Sequence, residues 1–359
     1  MSQLLQRIDV DLRSNSEPSE RGKLLARKSA YLARIGSFDE AKALVGVLRR
    51  DFADSKSSNV TVWIMLTEGL IHYYERLGIE ALDRIVRAQL LSTAMGDTEL
   101  AAITSAWRSH LEFERSDFKA MIGSIDSTFK FASPENYAAQ TRVSMVLSDC
   151  HFLCGDRANG QKWFLRSRDT ALKEGDQASI EALLYNKAAF AIAWQRAQSC
   201  FRPVAPEDLS LLRLELASAR NLQDIAGINA LSHVVHLCEA RLLLLEGKYD
   251  QGASKLQSIR DAAPYGEYNF NQSMIDLEIA YCTFRLDPTT KRSSVQNWEF
   301  DALDIDEQML AAWMISEIYL GNANAVDADA ITHRLNEKKK LYSDSIAGLQ
   351  AMLMKFSNA

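Results

Sequence analysis

A few histidines and cysteines are the residues with the clearest capacity for chemistry. His233 and His236 lie three positions apart with Cys238 beyond them, and Cys150 and Cys154 lie about one helical turn apart. Zinc sites take such ligands in sets of three or four at regular spacings. Neither group has a second ligand pair at that spacing, so we interpret both as packing residues and expect no metal and no cofactor. A metal-dependent enzyme built on these residues is the least favoured of three functional hypotheses.

Two glycines and an acidic run share fragments of other functional motifs. Gly155 and Gly160 precede Lys162, but in a phosphate-binding loop the lysine follows the second glycine directly and a strand precedes the first. The acidic run from Glu299 to Glu307 lacks the central glycine of a calcium loop, which indicates a solvated linker. Zinc-protease, nucleophile-elbow and dinucleotide-binding motifs are absent from the sequence. We therefore predict that the protein is not an enzyme.

Composition and charge narrow the remaining classes of function. The 359 residues are 47% hydrophobic and 25% charged, with a net charge of −6, which argues against strong non-specific binding of nucleic acid. The first residues lack the apolar core of a secretory signal. The longest apolar runs, at 60–66 and 242–245, fall far short of the roughly 20 residues that span a bilayer. Five cysteines without framework spacing suit a reducing compartment. We expect a cytoplasmic protein without membrane contact.

The elements that must position any site are helices. Apolar residues recur at three- and four-residue steps along most of the chain, as between Ile180 and Trp194, and alternating strand patterns are nearly absent. Glycines suited to helix C-caps often precede an aspartate suited to an N-cap, as at Gly96-Asp97 and Gly175-Asp176. The breaks follow a period of about 40 residues. They occur at Gly36, Gly78, Ser116, Gly155 and Gly247.

The unit around the last break resembles a tetratricopeptide repeat. Its small and aromatic residues stand at the positions that this family uses for close helix packing. The small residues are Ala240, Gly247 and Gly252, and the aromatic residue is Tyr249; the larger apolar residues and the closing proline at matching positions are Leu243, Leu256, Ile259 and Pro264. The period of about 40 residues is longer than that of the family, and in the unit around Gly155 Arg157 stands where the family has an aromatic residue. Both departures indicate a divergent variety with long helices. The resemblance implies an all-α fold, a right-handed α-solenoid of eight or nine antiparallel hairpins.

The predicted organisation has three parts. Residues 1–20 form a polar N-terminal segment, and residues 21–325 form the solenoid, with a break near 199–206 and a long loop near 287–306. Residues 326–359 form a closing helix with apolar residues in a seam. The seam consists of Ile331, Leu335, Tyr342, Ile346, Leu349, Leu353 and Phe356. This helix either caps the solenoid or pairs with a second copy in a homodimer.

The resemblance also implies where a partner would bind, because the first helix of each hairpin lines the concave groove of such a solenoid. Tyr185, Asn186 and Lys187 are the leading candidates, since repeats that grip a peptide backbone or a terminal carboxylate often use Asn and Lys there. Further candidates on other first helices are Arg34, Trp63, Tyr73, Arg108 and Arg142.

Repetition without catalytic motifs favours a binding role. The leading hypothesis is an adaptor, scaffold or regulatory subunit that binds a peptide or partner protein in the groove. The alternative is a regulator that senses a peptide or small ligand and changes the shape of its superhelix on binding.

Overall fold

The computed structural model describes residues 2–52, 58–76, 80–226, 232–262, 272–289, 303–320 and 328–357. Every regular element in these ranges is helical, which confirms the all-α prediction. The first eight helices are α1 (Gln3–Ser14), α2 (Pro18–Arg34), α3 (Phe38–Phe52), α4 (Ser58–Arg76), α5 (Glu80–Ala94), α6 (Thr98–Glu114), α7 (Phe118–Phe131) and α8 (Tyr137–Leu153). The others are α9 (Arg157–Glu174), α10 (Gln177–Ser199), α11 (Pro206–Ala226), α12 (Ser232–Leu245), α13 (Tyr249–Ala262), α14 (Gln272–Leu286), α15 (Ile305–Leu320) and α16 (Ala328–Leu353), followed by a short 3-10 turn at Met354–Phe356.

Helices adjacent in sequence pack against one another, as in helical-repeat proteins. The fourteen described helices from α2 to α15 are enough for seven hairpins, where the sequence predicts eight or nine. Residues 200–205 separate α10 from α11. Most of the loop predicted near 287–306 lies outside the described residues. Within those residues, none of the helices has both the length and the apolar character that crossing a bilayer requires.

The helix ends follow the local signals of the sequence. Gly36, Gly96, Gly155, Gly175 and Gly247 all have φ between 70° and 84° and close their helices with left-handed caps. Ser116 occupies the same position after α6 with a φ of 56°, although it carries a side chain. The carboxylates of Asp97 and Asp176 accept the N–H groups of Leu100 and Ser179, which confirms both as N-caps.

The chain divides into two compact units. Unit 1 comprises residues 1–150, 157–186 and 219–232, and unit 2 comprises residues 151–156, 187–218 and 233–359. In unit 1 the two helices of a hairpin approach each other closely at small residues. The Ser29 hydroxyl donates to the Ala41 carbonyl at 2.7 Å, and the Ser148 hydroxyl donates to the Gly160 carbonyl at 3.1 Å. Such contacts are possible only where two helix backbones approach closely.

The first helices of the unit 1 hairpins are buried on more than one side. All residues from Thr141 to Cys150 in α8 are buried, as are nearly all from Leu100 to Phe113 in α6. A helix lining an open groove would show a polar, exposed stripe. Between Leu100 and Phe113 of α6, and between Thr141 and Cys150 of α8, the helices therefore pack within unit 1 on most of their sides and show no continuous exposed polar stripe.

Unit 2 contains the predicted repeat and the closing helix. Leu237, Ala240 and Leu256 form a core cluster with Ile275 of α14. A side-chain carbon added at Gly252 would lie 2.4 Å from the tip of the Leu244 side chain, so a larger residue at this crossing would require Leu244 to move. In α16 the predicted seam is buried from Tyr342 onwards, whereas Ile331 and Leu335 are only half-buried.

Candidate functional site

The candidate site is a cavity of about 360 Å³ within unit 1. Its apolar and aromatic lining comes mainly from α2, α4 and α6, and includes Tyr31, Trp63, Leu66, Leu70, Ile103 and Trp107. Its polar lining includes Arg7, Arg27, Arg34, Asn136, Tyr137 and Glu174. This volume lies within the range of pockets that bind small molecules or a few residues of a peptide.

One side of the cavity is closed by an ion-pair cluster that we call the clasp, formed by Arg27, Arg34, Glu174 and Asp176. Arg34, from the last turn of α2, pairs with Asp176 and donates to the Ser179 hydroxyl at 3.2 Å. Arg27, two turns earlier on the same face of α2, lies 3.5 Å from the Glu174 carboxylate. The clasp joins the first hairpin to the turn between α9 and α10, 142 positions away in sequence.

The two carboxyl groups of the clasp differ in their pKa values. Burial disfavours ionisation of Asp176, but the charge of Arg34 and hydrogen bonds from Arg34 and Ser179 outweigh it, so the pKa lies below its usual value. Burial raises the pKa of Glu174 to about 7, reinforced by the charge of Asp176 and opposed by Arg27, Arg34 and Arg7. Asp176 is therefore a fixed anion, while Glu174 can take up a proton near neutral pH.

Behind the cavity lies a buried arginine. Arg142 is 3% exposed, and its guanidinium stacks on the Trp107 ring at 3.6 Å from the centroid. Its side chain donates to the sulfur of Met145 at 3.3 Å, and no carboxylate of the described residues lies within ion-pair distance of it. Burial is the main cause that lowers its pKa. A buried cation whose direct contacts are an indole ring and a thioether is costly for stability, although the charge of Asp176 offsets part of the cost, and this makes it a functional candidate.

Two further polar pairs each contain a residue whose pKa is influenced by the charge of Arg142. His110 Nε2 contacts the Tyr73 hydroxyl at 3.1 Å, and the Asn186 amide donates to Asp149 at 2.8 Å. Burial lowers the pKa of His110 well below its usual value, which keeps the ring neutral, and raises that of Asp149 well above it. One ring nitrogen of His110 and one oxygen of Asp149 are buried without a hydrogen-bond partner.

The structure brings only part of the predicted groove set together. Arg34 and Trp63 line the cavity, Tyr73 and Arg142 are buried in unit 1, and Asn186 is half-buried in the same unit. The Asn186 amide is bonded to Asp149, so it is not free to grip a peptide backbone.

The other three candidates lie elsewhere. Arg108 pairs with Glu112 at 2.7 Å and contacts Gln89 of α5 at 3.3 Å. Tyr185 is half-buried in unit 1. Lys187 belongs to unit 2, where it lies 3.3 Å from Glu215. Tyr185, Asn186 and Lys187 are successive residues of α10, so their side chains point in different directions around the helix.

Several lining residues were not predicted from the sequence. Leu4, Arg7 and Ile8 come from α1, in the segment that the sequence describes only as polar. Leu4 and Ile8 stand one turn apart, a weak signal for an amphipathic helix. Asp176 was predicted as an N-cap, but its pairing with Arg34 has no local signature.

The histidines and cysteines do not converge. No group of three or more His, Cys, Asp or Glu side chains in the described residues is placed to hold a metal ion. His236 is exposed and contacts Glu239 at 3.3 Å, and the side chain of His233 lies outside the described residues. All five cysteines are buried, and none of them forms a disulfide.

No protein-family model matches this sequence, and no curated protein or solved structure resembles it significantly. The likeness to tetratricopeptide repeats therefore rests on the residues of the chain and on its helical packing.

Proposed function

We propose that this chain is a non-catalytic binding protein that takes a segment of a partner protein, or a peptide, into the concave side of unit 1. The observation that carries the proposal is the cavity of about 360 Å³, which combines two indole rings with three arginine side chains. Tryptophan and arginine are the residues most often responsible for binding energy at protein interfaces.

The buried arginine Arg142 behind the cavity supports the same proposal. Arg142 is held on Trp107 without a carboxylate partner, and a hydrophobic residue of similar volume would normally serve packing as well or better. Its retention is readily explained if it orients Trp107 and contributes positive potential to the cavity. These features serve recognition and supply no nucleophile with an adjacent general base.

An affinity experiment tests the proposal. Tagged wild-type chain would be incubated with native lysate beside two variants, Trp63→Leu in the cavity and Trp313→Leu in unit 2 as the matched control, each first checked for native circular dichroism. A protein recovered stoichiometrically by the wild type and by Trp313→Leu, but not by Trp63→Leu, supports binding in the cavity. Equal recovery by all three places the contact elsewhere and refutes the proposal for this site.

The clasp favours a second candidate function, a sensor whose superhelix changes shape on binding. Ion pairs between Arg34 and Asp176, and between Arg27 and Glu174, hold together elements far apart in sequence, so a ligand that competes for these arginines would release them. Spin labels at exposed Asp39→Cys and Lys173→Cys in unit 1 would measure the change. A distance that shifts on addition of the low-molecular-weight fraction of lysate supports a sensor, and an unchanged distance contradicts it.

The proposal extends to architecture and location. We propose that helices α2 to α15 follow the right-handed solenoid course of tetratricopeptide repeats, that α16 caps its end, and that the protein works in the cytoplasm. Burial of the α16 seam from Tyr342 onwards supports capping over pairing with a second copy.

A further inference from the structure

Helix α1 covers the cavity with one face. Leu4 and Ile8, one turn apart, are 8% and 2% exposed and line the cavity together with Arg7. Val10, on the other side of the helix, is 59% exposed. Helix α1 is therefore amphipathic, and its apolar stripe faces the same surface as Trp63 and Trp107 of the candidate site.

The N-terminal end of α1 docks on the C-terminal end of α9. The Leu4 N–H and the Ser2 hydroxyl both donate to the Gly175 carbonyl at 3.1 Å, and Arg7 donates to the Glu174 carbonyl. The first N–H groups of one helix thus meet the last carbonyl groups around another, each of which lacks a partner within its own helix. Opposed helix dipole ends also attract. Any helix whose first turn reaches this position can make the same contacts.

Beyond these contacts α1 is held by a few polar and apolar contacts, among them the Arg21 guanidinium of α2, which donates to the Leu12 carbonyl at 2.5 Å and to the Asn15 carbonyl at 3.1 Å. Two apolar side chains are buried, and on the α2 side Lys28 lies 2.6 Å from Asp9 with both groups about a quarter exposed. Residues 15–17 are not helical and form a short connection to α2. The cavity itself remains beneath α1, so α1 does not fill the surface that it covers. A helix with larger apolar side chains would pack there with fewer voids.

We infer that α1 is a displaceable occupant of the binding surface, and that the partner segment of the proposed function is an amphipathic helix. Such a helix carries two apolar residues one turn apart in its first two turns, with an arginine or lysine three positions after the first, as Leu4, Arg7 and Ile8 do. This inference rests on the proposed function for its choice of site. The chain itself then regulates access, because the partner must compete with α1.

The test uses a fluorescent synthetic peptide with the sequence of residues 2–16 as its probe. Its anisotropy would be measured with the full-length wild type, with Leu4→Ala, Ile8→Ala to release α1, and with Val10→Ala as the matched control. We expect the release variant to bind the peptide at least about tenfold more tightly than wild type or Val10→Ala. A peptide carrying the same two alanines should bind none of the three.

Equal binding of the peptide to the wild type and the release variant would overturn the inference, as would no binding to either. If the release variant proves unfolded by circular dichroism, Asp9→Ala replaces it, since this change removes the ion pair with Lys28 from α1 and leaves the apolar face, the receiving surface and the peptide unchanged. The outcome is independent of the affinity experiment. If the peptide binds but no cellular partner is recovered, α1 remains a displaceable occupant and the proposed function is refuted. If a partner is recovered and lost with Trp63→Leu but the peptide does not bind, the proposed function is supported and the inference about α1 is refuted.

Discussion

Arg34 of α2 and Asp176 at the N-cap of α10 form an ion pair that is almost completely withdrawn from water, with side-chain exposures of 13% and 4%. The two residues lie 142 positions apart. Asp176 also accepts the Ser179 N–H at 3.1 Å and the Ser179 hydroxyl at 2.8 Å. The Asp176 carboxylate thus caps the N-terminus of α10 and also links it to Arg34 of α2 beside the cavity.

Removing the cation should destabilise unit 1 markedly. We expect Arg34→Ala to lower the free energy of unfolding by about 3 kcal/mol, because it leaves Asp176 buried without its counterion. Urea unfolding followed by circular dichroism measures the change. Arg50→Ala is the control, since its ion pair with Asp51 is well exposed and should contribute little. A loss for Arg34→Ala no larger than the control would contradict the clasp.

The cap after α6 offers a test of backbone strain. Ser116 has a φ of 56°, in the left-handed region where a side chain costs about 1 kcal/mol. Ser116→Gly should therefore raise the free energy of unfolding by up to about 1 kcal/mol. Gly96→Ala is the reciprocal change, because its φ is 70° and nothing lies within 4 Å of an added side-chain carbon. It should lower stability by a similar amount, and equal signs for the two changes would refute the explanation.

Burial of Glu181 predicts a pH dependence. Burial raises the pKa of its carboxyl to about 7 from 4.5. The folded chain then holds this proton more tightly than the unfolded chain, so its contribution to stability falls as pH rises between these two values. Glu181→Gln should be nearly neutral below about pH 5 and should stabilise by up to about 3 kcal/mol above about pH 8. Urea unfolding at both pH values measures this, and a gain independent of pH would be inconsistent with the cause.

Substitutions of Arg142 should change the stability of the protein and its capture of the partner in different ways. Replacing it by methionine keeps an elongated side chain against Trp107 and removes a buried charge, so Arg142→Met should leave the free energy of unfolding unchanged or raise it. Arg142→Ala, which adds a cavity, should lower stability by about 2 kcal/mol or more. If Arg142 serves recognition, capture of the partner fails with Arg142→Met although the variant is stable. Full capture by this variant would show that the arginine is dispensable.

The cysteines provide a probe of unfolding in each unit. Burial raises the pKa of Cys154, Cys200 and Cys282 to about 12, and only the thiolate reacts. We expect no labelling of native protein by a thiol reagent at about pH 8, and labelling in step with unfolding as urea rises. Mass spectrometry of Cys150 reports on unit 1, and of Cys282 on unit 2. Rapid labelling of the native chain would contradict the burial.

Apart from α1, whose segment reads only as polar, the sequence by itself determined that the chain is helical and where many of the helices end. Apolar periodicity is a property of ten to twenty neighbouring residues, and the capping chemistry of Gly175 and Asp176 involves groups within one helical turn. These interactions are local, so residue type and spacing reveal them. The small residues at Ser29, Ala41 and Gly252 follow the same logic, because two helices joined by a short turn must cross near fixed positions.

Only the tertiary structure decided which side chains meet. The pairing of Arg34 with Asp176, and the seat of α1 on the Gly175 carbonyl, depend on the rotation added by each hairpin along the intervening chain. Small changes in crossing angle accumulate over the repeats, and no local pattern fixes their sum. For the same reason no local pattern indicates that Asn186 bonds to Asp149 or that Arg142 lies on Trp107.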